Sequence, residues 1–144
     1  MLFRSGMGTR YREQHVGGLG QVGCFSFNGN KIITSGGGGM LVTNDEQVAL
    51  RAKHLTTTAK DDPLEYIHGE VGYNYRLTNV AAAMGCAQLE QLDQFVAAKR
   101  RIANTYEREL GNCVGIELYQ AAANAHCTYW LYTIAISPEG YGCV

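Results

Sequence analysis

The chain has 144 residues, which is enough for one domain with its own core. Hydrophobic residues make up 46% of it and charged residues 17%, a composition that excludes an intrinsically disordered chain. Lys and Arg number 12 and Asp and Glu 13, so the net charge of -1 gives no electrostatic reason to expect nucleic acid or an anionic membrane as a partner.

Glycine is over-represented near the N-terminus. The chain has 18 glycines, about one residue in eight against an average near 7%, and half of them lie between Gly17 and Gly39. Residues 22–27 and 40–43 have the apolar and β-branched character of strands, so we predict two strands that flank a glycine-rich loop. Residues 31–34 predict a third, short strand.

Helix signals follow in the middle of the chain. The Asn-Asp pair at 44–45 can cap a helix that we expect from about residue 45 to 56. Residues 57–76 predict a long loop, of a length that is usually functional when ordered. Thr78 or Asn79 can cap a second helix. The predicted apolar face of that helix consists of Val80, Ala83, Met84, Ala87 and Leu89.

The last third of the chain begins with one long helix. Apolar residues at three- and four-residue steps predict an amphipathic helix near 90–110, which Gly111 and Asn112 close. Residues 114–118 and 129–136 predict strands. We therefore expect a mixed α/β fold with a few strands and two or three helices, including the long one near 90–110.

Other sequence signals are negative. The five cysteines include no C-x-x-C pair and are odd in number, so we expect reduced thiols and no metal site. No segment approaches the roughly 20 apolar residues of a membrane span, and the N-terminus has no apolar run of a signal peptide. The default expectation is a cytoplasmic protein that binds neither membrane nor nucleic acid.

A literal G-x-G-x-x-G occurs at residues 18–23. In a dinucleotide site this motif follows a strand and opens a helix, whose N-terminus holds the pyrophosphate. Here a strand pattern follows it and no clear strand precedes it. We therefore interpret the motif as a turn before a strand.

Lys31 is the strongest candidate for a reactive side chain in the glycine-rich region. It follows the end of a predicted strand, and the hydroxyl of Ser26 lies five residues upstream on the same segment. Glycines on both sides let a flat ligand approach the backbone. This combination suits a cofactor held through its phosphate and through a covalent bond to the lysine amine. The alternative is an exposed lysine in a mobile glycine loop.

Four segments, in order, resemble those of one known family. Residues 24–45, C-F-S-F-N-G-N-K-I-I-T-S-G-G-G-G-M-L-V-T-N-D, are similar to the lysine segment of the DegT/DnrJ/EryC1/StrS family of pyridoxal phosphate-dependent sugar aminotransferases. Residues 72–79, G-Y-N-Y-R-L-T-N, residues 99–106 and the Y-W-L-Y run at 129–132 resemble its later segments. The asparagine-rich lysine segment is most similar to the LegC-like branch, which aminates nucleotide-linked sugars.

The resemblance implies a fold-type I architecture and assigns roles to four residues. Lys31 would be the catalytic lysine that binds the cofactor covalently and moves a proton, and Ser26 would bind the cofactor phosphate. Asn74 or Arg76 would reach the phosphate of the adjacent subunit, because these sites form at a dimer interface. The implied reaction transfers an amino group, with glutamate as the expected donor, to a nucleotide-linked 4-keto-6-deoxy sugar.

Members of this family are more than twice as long as the chain, so the resemblance implies a truncated fragment. Residues 1–111 would be the later part of the cofactor-binding domain, and residues 112–144 would begin the small C-terminal domain. The carboxylate that pairs with the pyridinium nitrogen would fall near Leu2, where the family pattern is not continued. We therefore expect weak activity or none from this chain alone. The alternative is an inactive orphan fragment that persists as a folded homo-oligomer.

Overall fold

The computed structural model describes residues 2–4, 6–62 and 64–142 of the chain. Its two longest strands, β4 (Val22–Ser26) and β5 (Gly39–Val42), pair antiparallel, and β1 (Leu2–Arg4) runs parallel to β4 on the other side, which gives a sheet of order β1-β4-β5. The predicted strands at 22–27 and 40–43 are therefore confirmed, each within a residue or so. They meet with Ser26 opposite Gly39, so the segment between them begins and ends at the same edge of the sheet.

Three further sheets are small. Their strands are β2 (Arg10–Tyr11), β3 (Gln14–His15), β6 (Lys60–Asp62), β7 (Ile67–His68), β8 (Ile116–Leu118), β9 (Ala125–His126) and β10 (Ile134–Ile136). The sheet of order β3-β2-β9 joins the two ends of the chain, because β9 comes from the last third of the sequence. An antiparallel pair, β8 with β10, lies near the C-terminus, and β6 with β7 forms a hairpin.

The helices begin where the sequence places capping side chains. In α1 (Glu46–Thr56), the Asp45 carboxylate accepts hydrogen bonds from the amides of Gln47 at 2.9 Å and Val48 at 3.2 Å. In α2 (Asn79–Leu89), the Thr78 hydroxyl accepts from Ala81 at 3.3 Å. The long helix α3 (Leu92–Leu110) ends at Gly111, and a short helix α4 (Pro138–Tyr141) follows β10. The predicted helices are thus confirmed, with one short addition.

The core of the sheet lies against the lysine segment. Phe25, Phe27 and Ile33 form a buried cluster, in which Ile33 is only 2% exposed. The partly buried side chains that pack on this cluster are Met7, Ile32, Val42, Leu92 and Phe95. The segment that carries Lys31 is therefore fixed to the core two residues away from the lysine.

Three expectations about local structure are wrong. Residues 31–34 form bends and no strand, because Thr34 and Ser35 bond back to the Phe27 carbonyl and fold the segment onto β4. The loop predicted at 57–76 contains the β6–β7 hairpin. The strand predicted at 129–136 is confined to β10, because its partner β8 is only three residues long, and Tyr129 adopts a φ of 49°, which extended backbone does not have.

The predicted apolar face of α2 is wrong: its five residues are exposed, and the less exposed side of the helix consists of Ala81, Ala82, Gly85 and Gln88. Val80 is 77% exposed, and Met84 and Leu89 are about half exposed at 48% and 51%. Between α2 and the sheet lies a groove of about 430 Å³ with almost entirely apolar walls that include Phe25, Met40 and Leu89. Surfaces of this kind favour association with another apolar surface.

Candidate functional site

Lys31 ends a tight turn that follows strand β4. Its amide donates to the carbonyl of Asn28 at 3.0 Å, and the Asn28 side-chain amide donates to the Asn30 side-chain oxygen at 3.2 Å. Upstream, the Ser26 hydroxyl accepts from the Asn28 amide at 3.4 Å. These bonds hold the turn through the three residues that precede the lysine. The lysine backbone is therefore positioned by the strand and by the turn together.

The residues after Lys31 return to the core and anchor the turn from its other side. The Thr34 hydroxyl donates to the Phe27 carbonyl at 3.0 Å, and the Ser35 amide donates to the same carbonyl at 3.1 Å. Gln88 of α2 accepts from the Thr34 amide at 3.3 Å. The lysine segment is thus tied to strand β4 and to helix α2, and it is not the mobile loop of the alternative interpretation.

Ser26 and Lys31 line one crevice, as their spacing predicts. The crevice has a volume of about 10 Å³, which is room for about one water molecule. Its walls are Met7, Phe25, Ser26, Lys31, Ile32, Ile33 and Trp130. An amine and a hydroxyl therefore share a small, otherwise apolar site at the edge of the sheet.

Trp130 closes this crevice. The Lys31 Nζ lies 3.5 Å from the centroid of the indole, well within the range of a cation–π contact. The indole Nε1 donates to the Asn30 carbonyl at 2.6 Å, so the ring is held to the turn by a second contact. The sequence reasoning assigned Trp130 no role, although it is the single tryptophan of the chain and lies in one of the family-like segments.

The side of the turn at Gly29 is open. A Cβ built on Gly29 would meet no atom within 4 Å. A flat ligand could approach the backbone here, but its ring could not enter the crevice while the indole of Trp130 lies over the amine of Lys31.

Asn74 and Arg76 lie apart from this crevice and are absent from its walls among the described residues. The Asn74 oxygen accepts from the Arg76 Nε at 3.2 Å, and both side chains are exposed. Their segment is held on the C-terminal end of α1, where the amides of Tyr73 and Tyr75 donate to the Leu55 and Thr56 carbonyls. They present a polar pair to solvent and not to Lys31 of the same chain.

The G-x-G-x-x-G segment has the structure of a turn before a strand, as predicted. A single 3-10 turn covers Val16–Gly18, and strand β4 starts at Val22. A Cβ at Gly23 would collide with the Gly17 carbonyl, whereas a Cβ at Gly18 would meet nothing within 4 Å. Gly23 is therefore required for close packing and not for binding a phosphate.

Histidines do not line the Lys31 crevice among the described residues. The His15 ring is near Gly8 and Gly17, whose amides lie 3.2 Å from its Nε2 and Nδ1, respectively. A neutral imidazole accepts at one nitrogen only, and a protonated one accepts at neither. Burial, and to a lesser degree the charge of Arg10, lowers the pKa of His15, which favours the neutral ring.

The hairpin β6–β7 is attached to α1 through exposed charges. Arg51 forms a two-bond ion pair with Glu70, in which Nη2 to Oε2 is 2.6 Å. His54 Nε2 lies 3.3 Å from the Glu70 carboxylate and 3.6 Å from that of Asp61. The hydrogen bond from Arg51 is the main cause that lowers the pKa of Glu70. These groups stabilise the hairpin and lie outside the lysine site.

The described residues form no disulfide, metal cluster or membrane-spanning helix. The described cysteines, Cys24, Cys86, Cys113 and Cys127, are free, and Cys143 lies outside the described residues. No group of three or more potential metal ligands occurs in residues 2–4, 6–62 and 64–142. None of the helices in this part of the chain is long and apolar enough to span a membrane.

Comparison with known proteins identifies relatives for most of the chain. The model of the DegT/DnrJ/EryC1/StrS aminotransferase family matches residues 5–141. EpsN of Bacillus subtilis, named as a pyridoxal phosphate-dependent aminotransferase, is 43% identical over 130 residues, which is 90% of this chain and 34% of EpsN. The GDP-perosamine synthase of Escherichia coli O157:H7 is 41% identical over 127 residues, 88% of this chain and 34% of that protein.

A solved structure supports the same family relationship. The aminotransferase TlmJ from Streptoalloteichus hindustanus superposes with a TM-score of 0.89 at 28% identity, covering 96% of this chain and 38% of TlmJ. The chain thus spans about a third of the length of the curated relatives it matches. The expected partial fold-type I architecture is confirmed by this neighbour.

Proposed function

Because the chain belongs to the DegT/DnrJ/EryC1/StrS aminotransferase family, whose members depend on pyridoxal phosphate, we propose that it carries the lysine segment of a sugar aminotransferase. The single observation that supports this most directly is the shared crevice of Ser26 and Lys31. The sequence spacing predicts that these two residues lie close together, and the fold brings them into one crevice. The finer assignment to the LegC-like branch stays a prediction.

The donor set suits the cofactor, although the closed crevice does not admit its ring. Pyridoxal phosphate, when bound, supplies an electron sink for charge that develops on the carbon next to the transferred nitrogen. Lys31 Nζ would hold the cofactor covalently and would accept and return a proton. Ser26 Oγ would donate a hydrogen bond to the phosphate. The open backbone at Gly29 is the side from which the ligand would approach, after Trp130 has moved.

Asn74 and Arg76 fit a role toward a second subunit better than one in their own site. Both side chains are exposed, and neither lines the Lys31 crevice. A guanidinium paired with an amide is well suited to bind a phosphate. We propose that they reach the cofactor phosphate of an adjacent copy in a homodimer.

The proposed substrate is a nucleotide-linked 4-keto-6-deoxy sugar, with glutamate as the amino donor. The support is the relation to proteins such as the GDP-perosamine synthase, whose name describes a nucleotide-linked amino sugar. Within the chain, residues 1–111 would belong to the cofactor-binding domain and residues 112–144 to the small domain. The β8–β10 pair is a separate sheet, which supports this division, although β9 joins the β2–β3 pair.

A second candidate is a folded, oligomeric chain without enzyme activity. The observation that favours it is the combination of a crevice of about 10 Å³ at Lys31 with the exposed apolar face of α2. In that case the lysine segment would persist for packing, and the apolar surfaces would drive self-association.

Absorption spectroscopy tests cofactor binding by this chain. Incubation with pyridoxal phosphate should produce a visible absorption band that Lys31→Ala abolishes. Lys60→Ala is the matched control, since Lys60 also lies over an aromatic ring, that of Tyr66, at 3.9 Å. Identical spectra for the chain and Lys31→Ala would contradict binding through this lysine. A band without amino transfer from glutamate to a keto sugar nucleotide would favour the second candidate.

A further inference from the structure

The indole of Trp130 makes two contacts with the lysine turn. Its face lies 3.5 Å from Lys31 Nζ, and its Nε1 donates to the Asn30 carbonyl at 2.6 Å. Trp130 comes from a segment about a hundred residues further along the chain. The ring therefore connects the last third of the sequence to the amine that the proposed chemistry needs.

The backbone on the N-terminal side of Trp130 is firmly held. The Cys127 carbonyl accepts from Arg100 of α3 at 2.8 Å, and Thr128 is buried at 3% exposure, with its hydroxyl 3.3 Å from that of Thr9. Tyr129 then adopts a φ of 49°, and this left-handed residue directs the chain away from an extended path.

The C-terminal side of Trp130 has a different anchor. The Tyr132 ring stacks on that of Tyr106 of α3, with centroids 4.8 Å apart and planes 10° from parallel. Trp130 lies between this stack and the anchored residues 127–128, within residues 129–133, which form no strand. Such a segment can move its central side chain without breaking a ladder of backbone hydrogen bonds.

We propose that Trp130 is a displaceable cover of Lys31, which positions the amine and blocks it until a ligand replaces the indole. The crevice has no room for a ring beside the indole, so entry of a flat ligand requires that Trp130 leave. Its departure would release the C-terminal segment from the lysine turn. The identity of that ligand rests on the proposed function, but the cover itself does not.

Acylation of lysines by N-hydroxysuccinimidyl acetate, followed by peptide mass spectrometry, tests the cover without cofactor. The amine attacks the ester carbonyl, an amide forms, and N-hydroxysuccinimide leaves with the electron pair. Trp130→Ala should raise the rate at Lys31 about two- to fivefold, the range expected for loss of an exposed cation–π contact. Trp130→Phe keeps a ring without the N–H donor and should give an intermediate rate.

The other lysines are internal controls. Among the described residues no aromatic ring lies over Lys53 or Lys99, and Lys60 lies over Tyr66, so the rates at all three should stay the same. An unchanged rate at Lys31 in Trp130→Ala would overturn the proposal.

A second variant keeps the test decisive if Trp130→Ala unfolds the chain. Lys31→Met keeps Trp130 in the sequence but removes the charge that holds its indole through the cation–π contact. Because Trp130 is the single tryptophan, its fluorescence reports on the cover alone. Acrylamide should quench it more strongly in Lys31→Met than in the unchanged chain, whereas Lys60→Met should have no effect. Equal quenching in the unchanged chain, Lys31→Met and Lys60→Met would overturn the proposal that Trp130 covers Lys31. If these tests confirm the cover but pyridoxal phosphate produces no absorption band, only the proposed function fails.

Discussion

Ile33 is expected to be the main anchor of the lysine segment. Its side chain is 2% exposed and packs with Phe25 and Phe27, two residues after Lys31. Ile33→Ala deletes three carbon atoms from this cluster, and Ile33→Val deletes one. Both changes remove contacts without adding charge or polarity, so their cost measures the packing of the segment.

The magnitude follows from the buried atoms. Three carbon atoms at about 0.8 kcal/mol each give a transfer cost of about 2.4 kcal/mol for Ile33→Ala. A residual cavity adds to this, so we expect a loss of about 3 kcal/mol in the free energy of unfolding, and about 1 kcal/mol for Ile33→Val. With a urea slope of about 2 kcal/mol/M, the midpoint should fall by about 1.5 M and 0.5 M, respectively.

Urea unfolding followed by the fluorescence of Trp130 measures both losses. Ile102→Ala and Ile102→Val are matched controls, because Ile102 is 49% exposed on α3 and should cost less than about 0.5 kcal/mol. A loss below about 1 kcal/mol for Ile33→Ala, or one no larger than that of Ile102→Ala, would refute the assignment of Ile33 as the anchor.

Three further predictions concern capping, pH and association. Asp45→Ala removes the acceptor of two amides and should cost about 1 kcal/mol in urea unfolding, while Asp45→Asn should cost less. The pKa of His15 in the folded chain lies below its ordinary value, so as the pH drops the unfolded chain takes up a proton at His15 before the folded chain does. The free energy of unfolding should therefore fall as the pH drops below about 6.5. His15→Gln should flatten the pH dependence of stability, and His126→Gln should not. Equal slopes of stability against pH in the two variants would contradict the role of His15. Sedimentation velocity should show self-association, and the double substitution Val80→Lys and Met84→Lys should weaken it. An unchanged sedimentation coefficient would argue against self-association through α2.

Elements with local signals were predictable from the sequence. Asp45 and Thr78 cap the helices they were expected to cap, because a capping side chain bonds to amides only two or three residues away. The pairing of Ser26 with Lys31 in one crevice was also predictable, since both lie on a single short segment. The roles assigned to Ser26, Lys31, Asn74 and Arg76 stay predictions.

Features that depend on distant contacts were not predictable. Ile32, Ile33 and Thr34 have strand propensity, but hydrogen bonds to the Phe27 carbonyl and burial of Ile33 decide the backbone. The contact of Trp130 with Lys31 joins positions about a hundred residues apart, and no local periodicity encodes it. Sequence periodicity did not identify the packed side of α2, because small apolar residues surround this helix and the side nearer the chain is set by distant contacts such as that of Gln88 with Thr34.

The packing of Gly23 against the Gly17 carbonyl has a consequence for mutational tolerance. Saturation mutagenesis of residues 17–23 should accept many side chains at Gly18, where a Cβ has free space, and almost none at Gly23. At Gly17 a Cβ would collide with the Phe25 ring, so this position should be equally restrictive. Gly23 is thus fixed by the backbone of Gly17, and Gly17 by the ring of Phe25, and homologues should retain both glycines whether or not they retain any cofactor chemistry.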